Sequence, residues 1–184
     1  MEIKETAIPG VFVIEPKIFG DSRGYFYESY SRRDFEAKIG KIDFCQDNQS
    51  FSHYGVVRGL HFQKPPFTQS KLVRVIQGRV MDVAVDIRKG SPTFGQYVVA
   101  ELTGDNHRQF FVPKGFAHGF CVLSETALFQ YKCDEFYHPE SEGALAWDDP
   151  TLNIEWPIPA NKIELSEKDK HHPGFKDFET PFTF

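Results

Sequence analysis

From about residue 55 to 135 the chain is a succession of short apolar and β-branched segments, each stopped after a few residues by Gly, Pro, Asn or Asp. Punctuation at such short intervals favours strands over long helices. Leu72 to Ile76 runs into Gln77-Gly78, after which Met81, Val83, Val85 and Ile87 alternate with Val80, Asp82, Ala84 and Asp86. That period of two marks strands paired about a turn, and it sets Asp82 and Asp86 on one face. Further strands are expected at Gln96 to Leu102, Gln109 to Val112, Gly119 to Leu123 and Ala127 to Asp134. Many short strands imply an all-β sandwich or barrel.

A chain of 184 residues fits one domain and is long enough to bury a substantial core, and no repeat, low-complexity tract or Ser/Gly linker divides it. Its aromatic share of 15%, led by nineteen Phe, suits a β-rich core and flat surfaces on which rings stack. A net charge of -5 and a pI near 5.8 argue against a nucleic-acid protein, whose footprint would be basic. A local basic patch for one phosphorylated ligand stays open. Cys45, Cys121 and Cys133 are odd in number and lack a C-x-x-C pair, which points to free thiols in a reducing compartment rather than disulfides or a zinc ribbon. Met1 to Glu15 lacks an apolar core beside a basic start, and no stretch approaches the roughly 20 apolar residues of a membrane span. The expectation is a cytoplasmic protein without nucleic-acid or membrane partners.

Outside the strand-rich region, Ser31 with Asp34 three later, then Phe35, Ile39 and Gly40, predicts a capped two-turn helix with Phe35 and Ile39 on one side. From Trp156 the tail carries Pro157, Pro159, Pro173 and Pro181 and reads as a loop-rich arm, with a helical turn near Ser166 to Lys170. Asp21 to Glu28 mixes a cation, rings and an acid in alternation. It is either an edge strand or a clamp in which Arg23 grips a phosphate while Phe26 offers a flat face. Gln46-Asp47-Asn48-Gln49 is either a solvated turn or a row of amide donors, and composition favours the turn.

His61, in the strand-like run Val57 to Gln63, stands out chemically because Lys71 follows ten positions later and Tyr131 lies on a later strand. A neutral imidazole takes a proton from carbon, an ammonium holds the resulting oxyanion, and a phenol returns a proton from the other side. The bland alternative is a satisfied structural histidine. Metal-binding barrels typically place two histidines at i and i+2 on one strand, but two after His61 is Gln63, and His118 adds only one ligand without matching spacing. No metal site is expected.

Taken together, Asp21-x-Arg23-Gly24-x-Phe26, Gln46-Asp47-Asn48, Arg58-Gly59-Leu60-His61-Phe62-Gln63, Pro113-x-Gly115-Phe116-Ala117-His118-Gly119-Phe120, Tyr131 with Tyr137, Trp147-Asp148-Asp149-Pro150 and Leu165-Ser166-x-Lys168-Asp169 resemble the dTDP-4-dehydrorhamnose 3,5-epimerase family from about residue 2 to 175. The resemblance implies a cupin-like jelly-roll barrel with short helices, its core at about 45–150 and a C-terminal arm at 156–184. It implies a homodimer with exchanged N-terminal strands, no metal or organic cofactor, and a dTDP-sugar substrate. By the same resemblance the base falls on His61, its orienting carboxylate on Asp169, the general acid on Tyr131, and Lys71 beside the keto oxygen. Nucleotide and diphosphate contacts fall on Arg23, Phe26, Glu28, Gln46, Asp47, Asn48, Arg58, His118, Glu142 and Lys168. Without it, Asp169 in Lys168-Asp169-Lys170 reads as a solvated charge run.

The reaction so implied inverts C3 and C5 of dTDP-4-dehydro-6-deoxy-D-glucose, whose C4 ketone acidifies both carbons, and yields dTDP-4-dehydro-L-rhamnose. Rival readings are an epimerase acting on C3 or C5 alone, a ketoisomerase on the same barrel, a metal-dependent cupin oxygenase and a non-catalytic sugar-binding barrel.

Overall fold

The computed structural model describes residues 1–184. The strands are β1 (Glu2–Glu5), β2 (Phe12–Glu15), β3 (Phe19–Asp21), β4 (Gly24–Phe26), β5 (Gln46–His53), β6 (Val57–Gln63), β7 (Lys71–Gln77), β8 (Arg79–Asp86), β9 (Arg88–Lys89), β10 (Tyr97–Thr103), β11 (Gln109–Val112), β12 (Phe116–Val122), β13 (Thr126–Cys133), β14 (Glu142–Ala144) and β15 (Phe182–Thr183). One α-helix, α1 (Arg32–Lys38), and three short 3-10 turns complete the chain. A six-stranded sheet in the order β1-β2-β11-β7-β13-β5 packs against a five-stranded sheet in the order β10-β8-β12-β6-β14. Within both sheets every pairing is antiparallel. This is the cupin-like jelly roll that the sequence led us to expect.

The alternation in β8 has an outcome that simple amphipathic reasoning inverts. Val80 and Ala84 join the barrel interior with Val73, Val75, Phe110, Phe120 and Phe129, and Asp82 and Asp86, of the same parity, are fully buried there. Val83, Val85 and Ile87 point to the other face, where they are covered by Leu152, Ile154, Trp156, Phe175, Phe178 and Phe182 from the C-terminal segment. Both faces of β8 are therefore buried from Asp82 to Asp86. Burying each such Val, Leu or Phe contributes about 2 kcal/mol, so the loop-rich tail is held by its apolar side chains and needs little secondary structure.

Two glycines set the register that matters. Gly59, at φ +123, faces Gly119, and a Cβ there would come within 2.7 Å of the Gly119 Cα. The bare backbones let β6 and β12 approach across an irregularity that places His118 opposite His61. Gly78, at φ +87, makes the turn from β7 to β8, where a Cβ would meet the Thr126 carbonyl at 2.0 Å.

Ser31 caps α1 by accepting from the Asp34 N–H at 3.4 Å, and Phe35 is buried against Phe111, as the capping pattern predicts. Two local readings are corrected. Gln46 to Gln49 is not a turn but the start of edge strand β5, because its backbone pairs along β13 while its side chains stay polar. Polar composition misled there because only alternate residues of that strand face inward. Asp21 to Glu28 is not one strand but the tight β3–β4 hairpin, with Gly24 at φ +129. The sheet also begins earlier than residue 45, since β1 and β2 extend it beside β11.

Candidate active site

Strands β5, β6, β7, β12 and β13 converge on a cavity of about 270 Å³ lined by Asn48, Gln49, Ser50, Arg58, His61, Lys71, His118, Phe120, Phe129 and Tyr131. A second lobe of about 90 Å³, walled by Phe62, Gln63, Gln69, Tyr137 and Glu142, shares His61, Lys71 and Tyr131 with the first. Those three side chains form the partition between the two lobes. A small molecule spanning both would have to pass them.

His61 comes from the middle of β6, half-exposed, and its Nε2 donates to Asp169 Oδ1 at 2.6 Å. Asp169 is buried at 4% exposure and opens a 3-10 turn, its backbone N–H donating to Ser166 Oγ at 3.1 Å. Burial pushes the Asp169 carboxyl upward, but the hydrogen bond and charge of His61, with help from His172 and Ser166, hold it at about 2. Asp169 is thus a permanent anion behind the imidazole. The His61 Nε2 is committed to it, which leaves Nδ1 as the other ring nitrogen for chemistry.

Lys71 begins β7, and its Nζ lies 5.8 Å from the Tyr131 ring centroid. Burial depresses the Lys71 ammonium, opposed by the nearby Cys133, Asp82 and Glu142. Burial also pushes the Tyr131 phenol up to about 12, so it stays protonated at neutral pH. A phenol that keeps its proton until a stronger base forms beside it is suited to act as an acid.

Behind this wall stands a second histidine–carboxylate pair. His118 Nε2 lies 2.9 Å from Asp82 Oδ1, both buried, and Asp82 Oδ2 has no hydrogen-bond partner. Burial drives His118 down and Asp82 up, each opposed by its partner. The sequence pattern placed Asp82 on a strand face but gave no sign that His118 would reach it.

The other expected contacts divide by location. Arg58 and His118 line the main lobe, and Arg58 donates to Ser52 Oγ at 3.1 Å. Asn48 is there too, its Oδ1 accepting from Gln46 Nε2 at 2.9 Å. Gln46 also accepts from the Tyr137 N–H at 3.1 Å, so it braces the mouth. Glu142 lines the second lobe, accepts from Tyr137 Oη at 3.5 Å and pairs with Lys168. Asp47 points to the opposite side of β5, where it pairs with Lys132 at 2.9 Å beside a separate surface hollow. Arg23, Phe26 and Glu28 line neither lobe of this chain. Arg23 pairs with Asp21 on the β3–β4 hairpin, and the Phe26 ring is 70% exposed.

Sequence reasoning missed His172. Its Nε2 donates to the same Asp169 Oδ1 at 3.0 Å. The His61, His172 and Asp169 donor atoms all lie within 4.8 Å of one another, the one grouping near the site that could hold a metal. The Asp169 oxygen is satisfied by two N–H donors, so an ion would have to displace both protons.

A model of the dTDP-4-dehydrorhamnose 3,5-epimerase family matches residues 5–177. The chain is 53% identical over 174 residues to the dTDP-4-dehydrorhamnose 3,5-epimerase of Salmonella typhimurium, covering 94% of each. It superposes with a TM-score of 0.93 on the crystal structure of the corresponding enzyme from Elizabethkingia anophelis, at 53% identity and covering 96% of this chain and 97% of that one. A TM-score of 0.93 also relates it, at 51% identity and covering 97% and 94%, to the Legionella pneumophila 3,5-epimerase solved in complex with dTDP-4-keto-L-rhamnose.

Proposed function

The chain belongs to the dTDP-4-dehydrorhamnose 3,5-epimerase family, and from that premise we propose how His61, Asp169, Lys71 and Tyr131 divide its reaction. It is an isomerase that inverts C3 and C5 of dTDP-4-dehydro-6-deoxy-D-glucose to give dTDP-4-dehydro-L-rhamnose. The C4 ketone acidifies the hydrogens on both neighbouring carbons, because each carbanion is an enolate. His61 removes the proton through Nδ1, and Asp169 stabilises the imidazolium that forms and fixes the ring. Lys71 neutralises the enolate oxygen in a site shielded from water. Tyr131 then delivers a proton from the opposite face, and reprotonation on that face inverts the centre. Residues 1–184 act as one unit, with no metal or organic cofactor.

The observation that carries this reading is the partition. His61, Lys71 and Tyr131 share both lobes of the cavity, with the Asp169 carboxylate 2.6 Å behind the imidazole. Arg58, Asn48, Gln46 and His118 on one side and Glu142 with Lys168 on the other hold the nucleotide diphosphate, whose binding energy keeps the sugar in register. Arg23, Phe26 and Glu28 serve a partner's cavity. Their hairpin exposes Phe19, Tyr25 and Phe26 together, a surface that gains by covering. The working form is accordingly a homodimer with exchanged N-terminal segments, acting in the cytoplasm. No helix is long and apolar enough to cross a membrane.

Proton NMR of the substrate in heavy water tests the reading. Deuterium should enter at C3 and at C5, and label at one carbon alone would point to a monofunctional enzyme. Light scattering gives the oligomeric state, and a monomer that turns over normally would refute delivery of the hairpin by a partner.

A further inference from the structure

One Asp169 oxygen accepts two imidazoles. His61 Nε2 donates to Oδ1 at 2.6 Å and His172 Nε2 at 3.0 Å, the two rings lying edge to face at 5.7 Å and 89°. Asp169 is 4% exposed, so this oxygen has little water to turn to. The backbone after His172 is tied down. The Pro173 carbonyl accepts from the Ala146 N–H at 2.8 Å, and the Phe175 N–H donates to Asp149 Oδ2 at 2.8 Å. Asp149 Oδ1 meanwhile accepts from the Thr151 and Leu152 N–H groups at 2.9 and 2.8 Å. Trp147-Asp148-Asp149-Pro150 thus anchors the segment that presents His172.

We propose that His172 is a positioning residue for the His61–Asp169 pair. Without His172, Oδ1 would be held by His61 alone, and the carboxylate could rotate about its Cβ–Cγ bond and slide off the imidazole plane. A second N–H from a fixed direction removes that freedom. With both Nε2 atoms donating to one oxygen, the His61 tautomer is set with its lone pair on Nδ1, the form a base needs. His172 never meets the substrate; it acts through Asp169. The proposal rests on His61 being the base.

The test uses the full-length enzyme with His172→Phe, which keeps a flat ring but has no N–H, and His172→Gln, which restores a donor of similar reach. His172→Phe should lower kcat about tenfold with KM within about twofold, since small misplacements of reacting groups are costly in rate. It should also enlarge the primary isotope effect with C5-deuterated substrate, because proton removal becomes more limiting. His172→Gln should recover most of the lost rate. In wild-type enzyme labelled with 15N-histidine, two low-field Nε2–H protons should appear, and His172→Phe should remove one and shift the other. A normal kcat and isotope effect in His172→Phe would overturn the proposal, as would equal losses in both variants. Should neither variant fold, a wild-type spectrum with only one such proton overturns it. His61→Asn separates the two ideas. If it retains exchange, the base reading fails; if it is dead while His172→Phe is normal, only the role of His172 fails.

Discussion

Two histidine–aspartate pairs sit on neighbouring strands of one sheet, and they differ in almost everything except their atoms. His61 and His118 are register partners on β6 and β12, and each uses Nε2 toward a carboxylate, at 2.6 and 2.9 Å. The His61 ring is half-exposed to the cavity, and its acid, Asp169, comes from the C-terminal segment with its carboxyl held at about 2. His118 is buried in the cavity wall with Asp82 fully buried behind it, and burial pushes Asp82 the other way. The charged form survives where two imidazoles and a Ser hydroxyl surround the carboxylate. It is penalised where an oxygen is left without a partner. Identical side-chain pairs therefore sit in different settings, one with its imidazole open to the cavity beside a settled anion and one with both members buried in the wall.

The widest separation between the pairs should appear on replacing the imidazoles. His61→Asn is expected to reduce epimerisation by about a thousandfold or more and to abolish deuterium entry at both carbons, since the amide cannot accept a carbon-bound proton. His118→Asn should act mainly on KM. Solvent exchange followed by NMR, alongside steady-state kinetics, checks both. Comparable losses in kcat would erase the distinction.

Next in size are the two groups that share the partition with His61. Lys71→Met should lower both exchange and turnover by about a hundredfold or more, because the enolate loses its charge partner. Tyr131→Phe should uncouple them. The ring still packs, deuterium still enters on the original face, and inverted product falls by about a hundredfold. Inversion at the wild-type rate would transfer the acid role to water or to Tyr137, which lies on the second lobe.

The strands of the barrel were legible because their short apolar and β-branched runs are punctuated at short intervals, and α1 was legible because Ser31 and Asp34 carry its cap. The polar edge strand β5 was not, since pairing with β13 is a property of the partner and leaves no apolar period behind. At the site, His61, Lys71 and Tyr131 could be suspected from their chemistry. Asp169 could not, because it lies 108 residues from His61 in a charge run and only the packing of the tail brings it back. His172 escaped for the same reason. Its importance lies wholly in sharing an oxygen with another residue. Glu28 was named by resemblance alone and Arg23 with Phe26 also as a clamp read from their chemistry, and within a single chain none of the three reaches either lobe.

The smallest effect, and the one that addresses the comparison most directly, is the pH dependence of stability when each carboxylate is made an amide. Asp169 has a folded-state value of about 2 against an ordinary 3.8, so the folded state binds its proton less readily than the unfolded chain. Its ionised form contributes about 2 kcal/mol of stability above roughly pH 4, and this is lost as pH falls toward 2. The stability difference between wild type and Asp169→Asn, measured by urea unfolding, should therefore shrink as the solution is acidified across that range. Asp82 has the opposite sign, because burial raises it. Its ionised form penalises the folded state above the raised value, and the penalty is relieved as pH falls through it. Wild type should consequently gain on Asp82→Asn with acidification while it loses its lead over Asp169→Asn. Parallel slopes for the two variants would mean that the pairs share one electrostatic environment, and the contrast between the two carboxylates would fall with it.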